Sequence, residues 1–380
     1  MDYLKVIDEV FAQFTGPRFS IRLWDGSERY YGSGTAKAFT LVIDDAQTAR
    51  RLIAEGALGF GEAYMENKLR IEGDIEAYLR LRHQFRHVRR SWRLVLATLL
   101  AKATSPYGRK GQIAQHYDLG NDFFRMVLDP ETMSYSAGRY EEGNESLSQA
   151  QSRKLEYICE LLDLPTHARV LDLGSGWGGF AVHAAKTRGV RTVGYTLSNA
   201  QREYCQELVV KERVEDLATF EYRDMVSRIQ SDQFDAIVAI ESIEHVGKPK
   251  LMPFFLELYQ ALKPGGSAYI QVTGRYQPRA VDPWTLKYVF PGGYLPAKEE
   301  LLRGAASAGF SVKRFDDDTS DYIHTMGDWI QNLEQNRVAI ERKFDPAFYR
   351  LWELWMHGAR AAFSVGSMRL FRIHLTKPTE

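Results

Sequence analysis

Cysteine is nearly missing from this chain: Cys159 and Cys205 are the only two in 380 residues. Two are too few for a disulfide framework, and their spacing matches no metal-ligand pattern. No run of about 18 apolar residues occurs, so no segment reads as a membrane span. The first residues lack a basic-then-apolar leader pattern, and the expected compartment is a reducing cytoplasm. Net charge is missing too, because 49 Lys and Arg balance 49 Asp and Glu. That balance argues against nucleic acid as a partner, yet it hides a local asymmetry. What remains is ordinary for a globular protein, with 44% hydrophobic and 26% charged residues over a length sufficient for two domains.

One stretch organises the rest. Residues 170–179 read Val-Leu-Asp-Leu-Gly-Ser-Gly-Trp-Gly-Gly. The apolar run from Arg169 to Leu173 predicts a buried parallel strand, the glycines a tight turn, and Phe180 to Lys186 a helix. Strand, glycine turn and helix open a doubly wound, Rossmann-like α/β fold. The spacing is not the G-x-G-x-x-G of a dinucleotide site. Asp172 stands two residues before Gly174, and Ser175, Gly176, Trp177 and Gly178 follow. This variant suits S-adenosylmethionine, whose amino-acid end is cationic and which carries no phosphate. Taken alone, the stretch is equally a glycine turn in an ordinary α/β protein.

Ahead of it, residues 1 to about 75 predict a small α+β unit. Phe19 to Trp24 alternates as a strand, Asp25-Gly26 turns into Glu28 to Tyr31, and Phe39 to Ile43 is a further strand. Asp45 caps a helix that ends near Gly56. Residues 77–117 hold nine Lys or Arg and no Asp or Glu. Arg82, Arg86, Arg89, Arg90 and Arg93 alternate there with Phe85, Trp92 and several leucines, the pattern of a basic amphipathic helix on an anionic membrane surface. A solvated basic face over a buried stripe is the plainer alternative. The domain cut therefore falls near residue 110, with an accessory unit at 1–110 and a catalytic unit at 111–380.

Beyond the glycine turn, Arg191 to Tyr195 predicts the second strand. It runs into Thr196, Ser198 and Gln201 in place of the acid a dinucleotide fold uses for the ribose. Phe220 to Asp224 closes the third strand, putting Tyr222 and Arg223 where adenine lies in such folds. Phe234 to Ile240 is the fourth strand and delivers Glu241 and Glu244 at its carboxyl end. Leu262 to Gly266 predicts a turn into a fifth strand, Ser267 to Gly274, which carries Gln271.

These residues together resemble the cyclopropane-fatty-acyl-phospholipid synthases and the mycolic acid methyltransferases. The shared runs are His-Tyr-Asp-Leu-Gly-Asn-Asp-Phe-Phe at 116–124, Tyr135-Ser136, Gly-Trp-Gly-Gly at 176–179 and Thr-Leu-Ser-x-x-Gln at 196–201. They continue with Glu-His-Val-Gly at 244–247, Lys-Tyr-Val-Phe-Pro-Gly-Gly at 287–293 and Asp-Tyr-x-x-Thr-Met-x-x-Trp at 321–329. The resemblance implies a class I methyltransferase fold and S-adenosylmethionine as cofactor, with Tyr135 and Ser136 beside it. It implies methyl transfer to the double bond of an unsaturated phospholipid acyl chain, through a carbocation that needs a dry, π-rich pocket. In the family a bound bicarbonate is thought to take the departing proton, held by a glutamate, a histidine, a tyrosine and backbone amides. Glu244 and Tyr322 match the glutamate and tyrosine.

Three positions depart from the family pattern. Gln271 stands where the family has histidine, and Ala137 and Ala359 stand where it has cysteine. Glutamine can donate and accept a hydrogen bond but cannot carry charge. Bicarbonate is therefore a doubtful cofactor here, and Glu241 becomes a candidate for the base. The leading expectation is a lipid C-methyltransferase, cytoplasmic and peripheral at the inner face of the membrane, homodimeric as family members often are. Its product is a cyclopropane or a methyl- or methylene-branched chain. A small-molecule methyltransferase and a non-catalytic lipid-binding protein are the alternatives.

Overall fold

The computed structural model describes residues 3–82 and 120–379. The Arg86–Arg93 stretch and residues 116–119 of the first family run lie outside them. The chain divides into two compact units, neither continuous in sequence. One contains the N-terminal residues with 282–291 and 334–365, and the other contains the remainder from 118 onward. The expected cut near 110 takes no account of those two later segments.

In the first unit, β1 (Arg18–Arg22), β2 (Glu28–Tyr31), β3 (Lys37–Ile43) and β4 (Leu69–Gly73) form one sheet in the order β2-β1-β3-β4. The Asp25-Gly26 turn joins β1 to an antiparallel β2, with Leu23 and not Trp24 marking its start. Asp45 accepts from the Thr48 N–H at 2.7 Å and caps the helix Ala46–Glu55, which stops at Gly56. The later segments dock through charge. Glu62 accepts from Lys287 and Tyr288, and Glu76 accepts from Arg360.

The second unit is built on seven strands: β5 (Arg169–Leu173), β6 (Arg191–Thr196), β7 (Ala218–Tyr222), β8 (Phe234–Ile240), β9 (Leu262–Gly274), β10 (Ser311–Asp317) and β11 (Arg369–Thr376). Their order is β10-β11-β9-β8-β5-β6-β7, parallel except that β11 runs antiparallel to both its neighbours. Side chains alternate between two buried faces. Val170, Ala236 and Val238 pack with the helices Leu147–Leu161 and Gly179–Arg188. Leu171, Leu173, Ile237 and Ala239 pack on the opposite face with Phe254, Phe255, Leu258 and Leu301. Both faces of β5 and β8 are therefore apolar, as a parallel sheet covered by helices requires.

Two expectations need correction. The turn expected at Leu262–Gly266 is the irregular start of β9, with a register shift opposite Phe234/Ala236. The third strand ends at Tyr222 and not at Asp224. Strand order reverses at β5, which has β6 on one side and β8 on the other. The crevice outside the carboxyl ends of strands at such a reversal is where open α/β sheets bind ligands.

Candidate active site

The glycine turn leaves β5 at Gly174, where the N–H groups of Gly174 and Ser175 both donate to Tyr195 O. Gly174, Gly176 and Gly178 take φ of +78°, +54° and +82°, a region L-residues rarely adopt. At Gly174 a Cβ would meet Ser242 Cβ at 2.5 Å, and at Gly178 it would meet Phe220 at 2.9 Å. Gly176 differs, because no heavy atom lies within 4 Å of where its Cβ would stand. The turn thus packs tightly at two glycines and opens at the third.

Beside it Trp177 donates from Nε1 to Asn121 and packs on Phe124. Thr196 Oγ1 donates to Gln201 and accepts from the Ser198 N–H, while Ser198 caps the helix Asn199–Glu212. Arg223 lies over the Tyr195 ring and donates to Ser227 and Arg228 O, while Tyr222 stands exposed at the rim. Asp172 is buried, and burial pushes its carboxyl up to about 7. Ser136 accepts from the buried amine of Lys154 at 2.8 Å. Tyr135 stacks on Trp329 and meets Phe124 edge-on.

A second cluster forms where β8 and β9 end. Glu241 follows β8 with φ +50°, and its N–H donates to Gln271 O at 2.7 Å. Its Oε1 accepts from the Ala137 N–H and from Gln271 Nε2, both at 2.8 Å, and its Oε2 accepts from Tyr322 at 2.6 Å. Glu244 lies in the short 3-10 turn Ile243–His245, where its Oε1 accepts from the Thr273 N–H at 2.6 Å. That bond crosses from the turn after β8 to β9. Its Oε2 is buried without a hydrogen-bond partner among the described residues. Burial, then the neighbouring Glu241, raise the Glu244 carboxyl well above the usual carboxylate range.

The structure therefore brings Glu241, Gln271 and Tyr322 into direct contact and sets Glu244 beside them. Several supporting residues were not anticipated. Arg372 faces Gln271 across the β9–β11 pairing and donates to its Oε1, to Asp318 and to Gly138 O. Thr325 accepts from the Gly138 N–H. Lys154 had a legible signal. Gln151, Lys154, Leu155 and Ile158 fall on one helical face, and a lysine in that register is buried.

Comparison with solved structures defines the class. A mycolic acid cyclopropane synthase crystallised with SAH and CTAB superposes with a TM-score of 0.65 at 26% identity, over 70% of this chain and 97% of that one. With this neighbour and an open glycine turn, the chain is a class I S-adenosylmethionine-dependent methyltransferase. The turn fits that cofactor, since the room at Gly176 is what a nucleoside needs. The chain belongs to the mycolic acid cyclopropane synthetase family, whose model matches residues 104–373. A domain of unknown function matches residues 6–86. Among relatives, the cyclopropane-fatty-acyl-phospholipid synthase of Escherichia coli is 31% identical over 87% of this chain and 86% of its own length. A "Probable fatty acid methyltransferase" of Pseudomonas putida is 29% identical over 94% and 91% respectively.

Proposed function

We propose that the protein methylates the double bond of unsaturated phospholipid acyl chains, forming a cyclopropane ring. The observation that carries this reading is the half-buried carboxylate at the end of β8, held by Tyr322, Gln271 and the Ala137 amide. Ring formation needs a base for a carbon-bound proton, and this carboxylate is such a group. Bound S-adenosylmethionine supplies an electrophilic methyl group. Positive charge developing on an alkene acceptor would be met by aromatic faces. Tyr135, Trp329, Phe124 and Trp177 form a continuous aromatic series beside the carboxylates. The Escherichia coli relative supports a phospholipid substrate.

The "Probable fatty acid methyltransferase" of Pseudomonas putida supports a fatty acyl acceptor without specifying the product, and a branched chain is the second reading. There a hydride shifts along the chain and a neighbouring chain carbon loses the proton, leaving a methyl branch on an internal double bond.

Vesicles of monounsaturated phospholipid incubated with methyl-deuterated S-adenosylmethionine test both. Release of S-adenosylhomocysteine with a lipid that retains two deuteriums and has lost its double bond establishes the ring. Retention of three establishes the methyl branch. Turnover on a soluble amine or alcohol with none on lipid overturns the reading.

A further inference from the structure

The three donors that converge at the end of β8 have one acceptor between them, the Glu241 carboxylate. The Ala137 N–H and Gln271 Nε2 reach Oε1, and the Tyr322 hydroxyl reaches Oε2. No bond of this set is left over for a separate anion. The second Nε2 hydrogen of Gln271 goes to Ala137 O at 3.1 Å. Its Oε1 is taken by Tyr269 and by Arg372, both at 3.1 Å. Arginine can only donate, so the amide has one orientation, with Nε2 turned to Glu241. The Thr273 N–H is used by Glu244.

The backbone shows that this placement is specified. Glu241 sits in the left-handed region at φ +50°, which costs a non-glycine residue roughly 1 kcal/mol. Glycine would relieve that strain, yet the chain carries a carboxylate there. A bicarbonate held by the same tyrosine, the same amide and the residue at 271 does not fit beside it. We infer that the Glu241 side chain is a built-in replacement for a bound bicarbonate, so that the enzyme carries its own base and needs no exogenous anion. This inference rests on the alkene-methylating reading above.

The proton step balances without an oxidant or reductant. Once the new carbon–carbon bond is made, a C–H bond of the added methyl breaks. Its electron pair closes onto the cationic carbon, and its proton passes to Glu241 Oε2. Oε1 already accepts two bonds while Oε2 accepts one from Tyr322, so Oε2 keeps the lone pair for this transfer. The resulting acid returns its proton to water between turnovers. Two adjacent carboxyls do not both ionise readily in a buried site. Burial, then the neighbouring Glu241, push the Glu244 carboxyl up, and Glu244 is the member held neutral. Gln271 is a positioning residue: fixed by Arg372 and Tyr269, it aims a donor at Glu241 and never titrates.

The test compares wild type with Glu241→Gly, Glu241→Gln and Glu244→Gln. Carbon-13 bicarbonate is titrated into each protein without lipid and followed by NMR. Turnover on monounsaturated vesicles is measured in carbon-dioxide-free buffer with and without added bicarbonate. Wild type should bind no bicarbonate and keep its rate when bicarbonate is removed. Glu241→Gly, unstrained at this φ, should bind it and recover turnover when it is supplied. Glu241→Gln should lose about 10²–10⁴-fold in turnover. Glu244→Gln, one neutral group for another, should lose at least about tenfold less.

Stoichiometric bicarbonate binding by wild type, or a bicarbonate-dependent wild-type rate, overturns the inference. So does a folded Glu241→Gly that takes up no bicarbonate, or a loss at Glu244→Gln larger than at Glu241→Gln. If Glu241→Gly does not fold, retained turnover in Glu241→Gln overturns it alone. Absence of wild-type turnover on every lipid tried defeats the functional reading instead, and the titration still decides the anion question.

Discussion

Asp172 is the acid of the glycine motif, and its environment makes it a measurable probe. Its carboxyl is 2% exposed, and burial pushes it up to about 7 against the opposing charge of Lys154. The unfolded chain releases this proton near pH 4. Between about pH 4 and 7 the folded state therefore holds more protons than the unfolded one, and stability falls as pH rises. Lys154, held by Ser136 and Gln151, is pushed down to about 8 by burial and so titrates above this window. Asp172→Asn removes the carboxyl's contribution. In the cofactor-free protein its stability should gain on wild type from pH 5 to pH 7.5, by roughly 1–3 kcal/mol at the upper end, read as a melting-temperature gap that widens with pH. Parallel melting curves across that range would place the ionisation elsewhere. The sequence marks Asp172 because its spacing to Gly174 is a local pattern. It is silent on Arg372 because that residue matters through a strand pairing about a hundred positions away from Gln271.

Among the elements, the helix Thr319–Gln335 shows how one face can hold a site together. Asp321, Tyr322 and Thr325 share a side of it. Tyr322 donates to Glu241, Asp321 accepts from the Tyr140 N–H, and Thr325 accepts from the Gly138 N–H at 3.0 Å. The helix thus clamps the 137–140 segment whose Ala137 amide also faces Glu241. Thr325→Val keeps the volume and removes the acceptor, leaving the buried Gly138 amide unsatisfied. The expected cost is about 1–3 kcal/mol, with lower turnover and unchanged cofactor affinity. Thr325→Ser should restore both stability and rate, and a valine variant that melts and turns over like wild type would deny the clamp. Local signals made most of the fold legible. The Asp25-Gly26 turn, the Asp45 cap, the glycine turn after β5 and the alternating faces of β8 are all set within a few residues. The start of β9 misleads because Lys263-Pro-Gly-Gly has turn chemistry, yet Leu262 and Ser267 on either side pair with β8 while Gly265 and Gly266 bond Lys377, so it is carried as an irregularity within the strand.

Over the whole molecule the sequence is informative about the sheet of the second unit and blind to the later segments that complete the first. Residues 282–291 and 334–365 join the N-terminal residues through ion pairs such as Glu62–Lys287 and Glu76–Arg360, which no periodicity announces. Among the described residues no helix is long and apolar enough to cross a membrane. On the proposed reading the substrate lies in a bilayer, and charge supplies a candidate surface for reaching it. Residues 77–117 carry nine basic and no acidic residues in a chain whose net charge is zero. A basic residue close to an anionic leaflet contributes about 1 kcal/mol, and salt weakens it within a Debye length. Reversing Arg86, Arg89 and Arg93 to Glu should therefore cut co-sedimentation with anionic vesicles by about 100-fold or more. Wild-type binding should fall when the vesicles are neutral and when salt is raised. Binding by the reversed variant equal to wild type, or wild-type binding indifferent to both lipid charge and salt, would put the membrane contact on another surface. Turnover on detergent-dispersed lipid separates the two roles of the chain: it should survive the charge reversal, because the glycine turn and Glu241 belong to the second unit.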